Sequence, residues 1–189
     1  LFGIIIYIPL LKFGAKVNPI PYLRKFSQMA IIPFSTTSSN ISIPYSLKLC
    51  DNLGVSNKIA SFTIPLGATV NMDGSAIMQG MTAMFVAQLY GIDLTASMII
   101  TIVITATLGT IGSPGMPGVV MVTLLTVLSS VGFPLDAIAI IVGIDRFTDM
   151  FKTVLNVMGD SVCTCVVGRS EGELNEAVYY DMSKKIDFN

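Results

Sequence analysis

The chain has 189 residues, 52% hydrophobic and 12% charged, with a formal net charge of −1 and no His or Trp, and its mean hydropathy is +0.74. So apolar a composition excludes an ordinary soluble domain and points to a membrane protein, while the near-neutral charge excludes a nucleic-acid partner. The absence of histidine removes the commonest general base and zinc ligand, and Cys50, Cys163 and Cys165 lack CxxC or knuckle spacing, so they read as small buried residues.

Residues 1–20 read as the end of a transmembrane helix and a cytoplasmic loop, in a chain whose N-terminal part lies upstream. Lys12, Lys16, Arg24 and Lys25 follow this apolar run, Lys48 and Lys58 bracket the next break, and Arg169, Lys184 and Lys185 lie in the tail. The positive-inside rule puts these three regions in the cytoplasm, and the uncharged or acidic breaks at 91–93 and 132–136 outside. Residues 21–52 therefore begin and end inside, and residues 94–131 begin and end outside. A span needs about 20 helical residues, whereas the second segment, broken at GTIGSPGMPG (109–118), offers arms of roughly 14 residues each at ~1.5 Å per residue. Neither arm crosses, so both segments are predicted as re-entrant hairpins entering from opposite faces. Non-helical backbone at membrane depth survives only where protein buries it or a cavity receives it, and facing tips outline a midplane site of the kind found in transporters with inverted repeats.

Between the hairpins, residues 58–91 cross outward but are interrupted at GATVNMDGS (67–75), where Asn71, Asp73 and Ser75 bring oxygen ligands to mid-membrane. Residues 135–168 form the last transmembrane helix and contain DRFTDMFKTVLNVMGD (145–160). At about 100° per residue, Asp145, Asp149, Lys152, Thr153, Asn156 and Asp160 fall on one helix face, a polar stripe that must meet protein or water. Residues 169–189 are a cytoplasmic tail, and Glu171 to Asp187 reads as a solvated terminus without a role.

Isolated acids in apolar helices are functional by default, which marks Asp73, Asp149 and Asp160. Asp145 reads equally as an ion-pair partner of Arg146, Ser38, Ser39 and Ser75 also suit helix packing, and Met116 fits core filler or gate. An intramembrane aspartyl protease pairing Asp73 with Asp160 is disfavoured, because Val157-Met158-Gly159-Asp160 lacks the expected earlier glycine.

STTSSNISIP, GATVNMDGS, GTIGSPGMPG and DRFTDMFKTVLNVMGD resemble, in order and spacing, the first hairpin, broken seventh helix, second hairpin and eighth helix of the glutamate transporter homologues. These are sodium- or proton-coupled symporters of amino acids and dicarboxylates. The resemblance covers nearly the whole chain and implies an all-α, multi-pass protein of the cell membrane. It implies a transport-domain core with two re-entrant helical hairpins of opposite orientation and two broken transmembrane helices. It also implies a homotrimer in contact with membrane lipid, an elevator motion against a scaffold largely outside this sequence, and a third helix completing one sodium site.

By position, the resemblance implies that Asp149 receives a substrate ammonium and Asn156 an α-carboxylate, with Thr153 and Ser75 beside them. Ser38 and Ser39 at the first tip, and Met116 to Gly118 at the second, supply donors and a gate, helped by half-helix N-termini. Asn71, Asp73, Asn156 and Asp160, with carbonyls of Gly67 and Thr69, are the implied ligands of Na+, a hard cation that prefers oxygen. Relatives carrying acidic amino acids have Arg at the position of Lys152, and Lys keeps the charge without the two-pronged fork. The substrate is therefore expected to be acidic, glutamate or aspartate. The alternative, with Lys152 paired to Asp149, is a sodium- or proton-coupled carrier of neutral amino acids, cystine or C4-dicarboxylates. Asp149 favours an amino acid over a plain dicarboxylate, Asp160 favours sodium over protons, and Asn40 departs from the family's three serines. The expected class is a carrier, not an enzyme.

Overall fold

The computed structural model describes residues 1–183 and 186. It begins with two π-helical turns, Gly3–Tyr7 and Leu10–Gly14. Helices α1 (Pro19–Met29), α2 (Ile31–Thr36) and α3 (Ser39–Asn52) follow. Asn18 caps α1 by accepting from the Ile20 amide with Pro19 at the first helical position, and Ser38 caps α3 by accepting from the Ile41 amide. Between α2 and α3 the chain turns through Thr37, a non-glycine residue at φ 50°.

Helices α4 (Asn57–Val70) and α5 (Asp73–Leu89) are separated by Asn71 and Met72, whose ψ angles of 72° and 44° leave the helical region. The orphaned amides of a helix start need partners, and one comes from a distant helix: the Gly74 amide donates to Asn156 Oδ1 at 2.7 Å. Helices α6 (Ala96–Thr110) and α7 (Val119–Ser130) pack antiparallel, with Thr105 near Ser130 and Gly109 near Thr123. Helix α8 (Ala137–Ser170) has 34 residues, ~50 Å of helix at ~1.5 Å per residue. It is unbroken, as the single last helix expected over 135–168; two broken helices were expected, and among the described residues the interruption at Asn71 and Met72 supplies one. Residues 145–158 contain neither Gly nor Pro, and the polar stripe packs against other helices, so nothing stops the ladder.

Two apolar cores sit at opposite ends. One gathers Tyr7, Leu11, Tyr22, Phe26, Leu49, Ile64, Val157 and Cys165; the other gathers Ala83, Val86, Ile102, Leu124, Leu128 and Ile141. Both α8 and the α4–α5 pair run from one core to the other, and their polar residues, with the α4–α5 break, fall between. The tips of the α2–α3 and α6–α7 pairs meet in that layer. Gly115 O accepts from Ser38 Oγ at 2.7 Å and from the Asn40 amide at 3.2 Å, and the Gly112 amide donates to Thr69 O at 2.8 Å. Among the described residues one helix, α8, is long and apolar enough to cross a membrane; Gly3–Gly14, Ala96–Thr110 and Val119–Ser130 are shorter apolar helices.

Two expectations are corrected. Cys50 and Cys165 are buried, but Cys163 is exposed. The tail is not simply solvated: Leu174 bridges to Val55, and α9 (Glu176–Tyr180) buries Tyr179 completely. Lys25, 1% exposed, donates to the carbonyls of Asn52, Val178 and Tyr179 at 2.7, 2.9 and 2.9 Å, which satisfies all three ammonium protons. Tyr179 Oη donates to Asn18 O at 2.9 Å. Lys184, Lys185 and Asp187 lie outside the described residues.

Candidate functional site

The polar stripe of α8 forms one wall of a cavity between the two tips and the start of α5. Asp149, Lys152, Thr153 and Asn156 line it, together with Ser39, Ser75, Met72, Gly115 and Met116. The space open to the centre of a water-sized sphere is about 20 Å³, room for about one water. An amino acid therefore enters only if a wall moves. The side of the cavity built by the tip after α6 is the movable candidate, because Met116 is 57% exposed and Gly118 stands at φ 83° with open space around it. Met116 is thus not core filler, and Gly118 does not line the cavity.

Within the cavity the charges are already paired. Lys152 Nζ lies 2.8 Å from Asp149 Oδ1, with both side chains buried, while Asp149 Oδ2 is buried without a partner. A buried carboxylate is tolerable only with a cation beside it, and the pair takes a single oxygen. Thr153 Oγ1 turns back to Asp149 O at 2.7 Å. Asn156 Nδ2 donates to Ser75 Oγ at 3.2 Å and to Met72 Sδ at 3.4 Å, weak acceptors for an amide. Ser38 is spent holding Gly115 O, whereas Ser39 Oγ is buried and unpartnered.

The expected sodium ligands separate into neighbouring groups. Asn71 Nδ2 donates to Asp160 Oδ1 at 3.0 Å, and a Cβ on Gly67 would stand 2.6 Å from that same oxygen, so only glycine lets the carboxylate approach. Asp73 Oδ2 accepts from Tyr7 Oη at 2.8 Å. Gly159 backs onto Tyr7 Oη and Asn71 Nδ2, which draws these two pairs together. Thr69 lends its carbonyl to the Gly112 amide, and Asn156 belongs to the cavity side through Gly74. Asp145 is half-buried and outside the cavity lining.

Sequence reasoning missed several residues here. Tyr7 carried a signal as the sole polar side chain in the first eleven residues, LFGIIIYIPLL. Gly115 carried none beyond its motif, although a Cβ there would meet Ser39 Cβ at 2.9 Å and Ala68 O at 3.0 Å. Arg146, treated only as a partner of Asp145, donates to Thr37 Oγ1 at 3.0 Å.

Residues 1–170 match the model of the sodium:dicarboxylate symporter family. The chain is 40% identical over 162 residues to excitatory amino acid transporter 5 of Homo sapiens, covering 85% of this chain and 29% of that protein. It is 41% identical over 165 residues to excitatory amino acid transporter 1 of Rattus norvegicus, covering 86% and 30%. With the proton/sodium-glutamate symport protein of Geobacillus stearothermophilus it shares 38% over 160 residues, covering 85% and 38%. These relatives are transporters and not enzymes, and the chain spans well under half the length of each. With the family match running from the first residue through α8, and so through both tips and the interrupted helix, the chain belongs to the sodium:dicarboxylate symporter family.

Proposed function

We propose that the chain is the substrate-binding core of a secondary active transporter that carries an acidic amino acid, glutamate or aspartate, together with sodium across the cell membrane. The observation that carries this reading is Asp149: a buried carboxylate with one oxygen on Lys152 and the other unpartnered, in a cavity closed by two helix tips. A free buried acceptor suits a substrate ammonium. Asn156, whose amide nitrogen holds only a hydroxyl and a thioether, suits the α-carboxylate, with Thr153, Ser75 and the start of α3 at Ser38 and Ser39 nearby. Met116 and Gly118 form the gate, and Lys152 sets the charge at Asp149.

Sodium is the second cargo, taken by Asn71, Asp73, Asp160 and Asn156 with carbonyls of Gly67 and Thr69. Coupling follows from a shared group. Thr69 O already binds the Gly112 amide, so an ion that orders the end of α4 also biases the gate toward closure, and ions and substrate stabilise the same closed state.

The arms α6 and α7, with 15 and 12 residues, fall short of the roughly 20 a span requires, which supports a re-entrant pair; α2 and α3 make the opposite one. Val103, Leu108 and Val122, 58%, 65% and 65% exposed, suit contact with lipid or scaffold. The multi-pass protein is a homotrimer in which this core moves as an elevator. A second reading, transport of neutral amino acids or cystine, is favoured by the Lys152–Asp149 pair, which leaves the cavity wall neutral. C4-dicarboxylate transport fits less well, because it leaves Asp149 without an ammonium to receive, and proton coupling fits less well because of Asp160.

The test is uptake of labelled L-aspartate into proteoliposomes of the full-length protein under an inward sodium gradient, with excess L-serine or L-cystine. Sodium-driven uptake that resists both competitors and disappears in Asp149→Ala is expected. No aspartate uptake with serine or cystine uptake intact moves the substrate to the second class, and normal uptake by Asp149→Ala overturns the site.

A further inference from the structure

We propose that Arg146 is an anion receptor at the mouth of the cavity, taking the distal carboxylate of an acidic substrate, with Thr37 as the neutral hydroxyl that holds its guanidinium beforehand. This rests on the acidic amino acid reading above. The charges require such a group. Lys152 engages Asp149 Oδ1, and Oδ2 is left for the substrate ammonium, so the ammonium can bind without displacing Lys152. The loaded wall then has no cation to spare, while an acidic amino acid brings one carboxylate more than its ammonium balances.

Arg146 is the candidate: it is exposed and outside the cavity lining, and it meets the rim through Thr37, which lines it. It sits one helical turn before Asp149, on the same side of α8, and forms no ion pair with a described acid; the half-buried Asp145 next to it in the chain is no exception. Its one partner is Thr37 Oγ1 at 3.0 Å, a single uncharged acceptor for a planar fork with five donors that matches a carboxylate. Thr37 is itself 5% exposed, lines the cavity and stands at φ 50°, a conformation that a β-branched residue keeps only where its surroundings impose it.

A second observation points to the same rim. Ser39, two residues on and 3% exposed, also lines the cavity, and its hydroxyl is buried without any partner. A threonine hydroxyl that holds a guanidinium and, two residues on, an idle serine hydroxyl thus belong to the same tip before α3. Such donors complement a carboxylate, which a neutral side chain does not supply. Arg146 would then supply at the cavity mouth the fork that Lys152 lacks.

The experiment is calorimetric binding of L-glutamate and of its neutral isostere L-glutamine to the sodium-saturated full-length protein, comparing wild type, Arg146→Gln and Arg146→Lys. Arg146→Gln is expected to weaken glutamate by about tenfold or more while moving glutamine by less than about twofold, with Arg146→Lys in between for glutamate. Equal weakening of both ligands would make Arg146 a brace for the tip and overturn the proposal. Unchanged glutamate affinity would overturn it too, leaving the carboxylate to Lys152. A wild-type protein that binds glutamine but not glutamate would remove the acidic-substrate reading and this proposal with it, whereas wild-type glutamate binding indifferent to both Arg146 variants removes the proposal alone.

Discussion

Among the described residues Asp149 and Lys152 are each other's only ion-pair partners in a buried wall, 3% and 8% exposed at their side chains. Removing one partner strands a buried charge, so Lys152→Met is expected to lower unfolding stability by about 3–5 kcal/mol. Asp149→Ser combined with Lys152→Met should recover most of that loss, and thermal unfolding of the single and double variants checks both statements. At Gly115 the constraint is space: a methyl would press on Ser39 Cβ, Ala68 O and Asn40 Oδ1 at 2.9, 3.0 and 3.1 Å. Gly115→Ala should therefore hold the two tips apart and cut uptake severely, whereas Gly143→Ala, with open space around it, should transport normally. At this scale the sequence was legible where chemistry is local to a motif: NMDG and the DRFTDMFKTVLNVMGD stripe named Asp149, Asn156 and Asp160 before any fold. It was silent where the partner lies far along the chain. Tyr7 and Asp73 are 66 residues apart, Ser38 and Gly115 77, Thr37 and Arg146 109, and no spacing rule connects them.

Among the elements, the start of α3 does two jobs with one side chain. Ser38 caps the helix through the Ile41 amide and ties the first tip to the second through Gly115 O. Ser38→Ala should cost about 1 kcal/mol through the lost cap and should also raise the rate at which the second tip opens, measured as faster amide exchange across 111–118. Exchange unchanged at those residues would mean that the tips are held by packing alone. The interruption of the α4–α5 pair was readable because Gly67 and Asn71 weaken a helix locally. The continuous course of α8 was readable too, as one helix over 135–168; which neighbours accept its polar face was not, because a one-dimensional pattern shows only that such a face exists.

For the molecule as a whole, the two apolar cores are stable ends and the polar layer between them holds the proposed ion and substrate sites. Replacing sodium by choline should therefore leave the ends intact and loosen the layer. Amides of Gly112 and Gly115 should exchange faster without sodium, and those of Leu49 and Val127, buried in the two cores, should not change. Gly67→Ala, which pushes Asp160 away from the end of α4, should abolish that difference. A sodium effect spread evenly over both cores would break the link assigned to Thr69 and Gly112.

The grip on Lys25 sets an order of events in biosynthesis. Its first carbonyl partner, Asn52, follows it by 27 residues, but Val178 and Tyr179 follow by 153 and 154. At ribosomal speeds of about 5–20 residues per second, the ammonium waits roughly 8–30 s for the chain that will enclose it. Until then the base of α1 stays hydrated and open. A nascent chain cut short after α8 would contain every residue of the proposed cavity and still lack two of the carbonyls that close over Lys25, leaving an unfinished surface at the base of α1 for proteases to find.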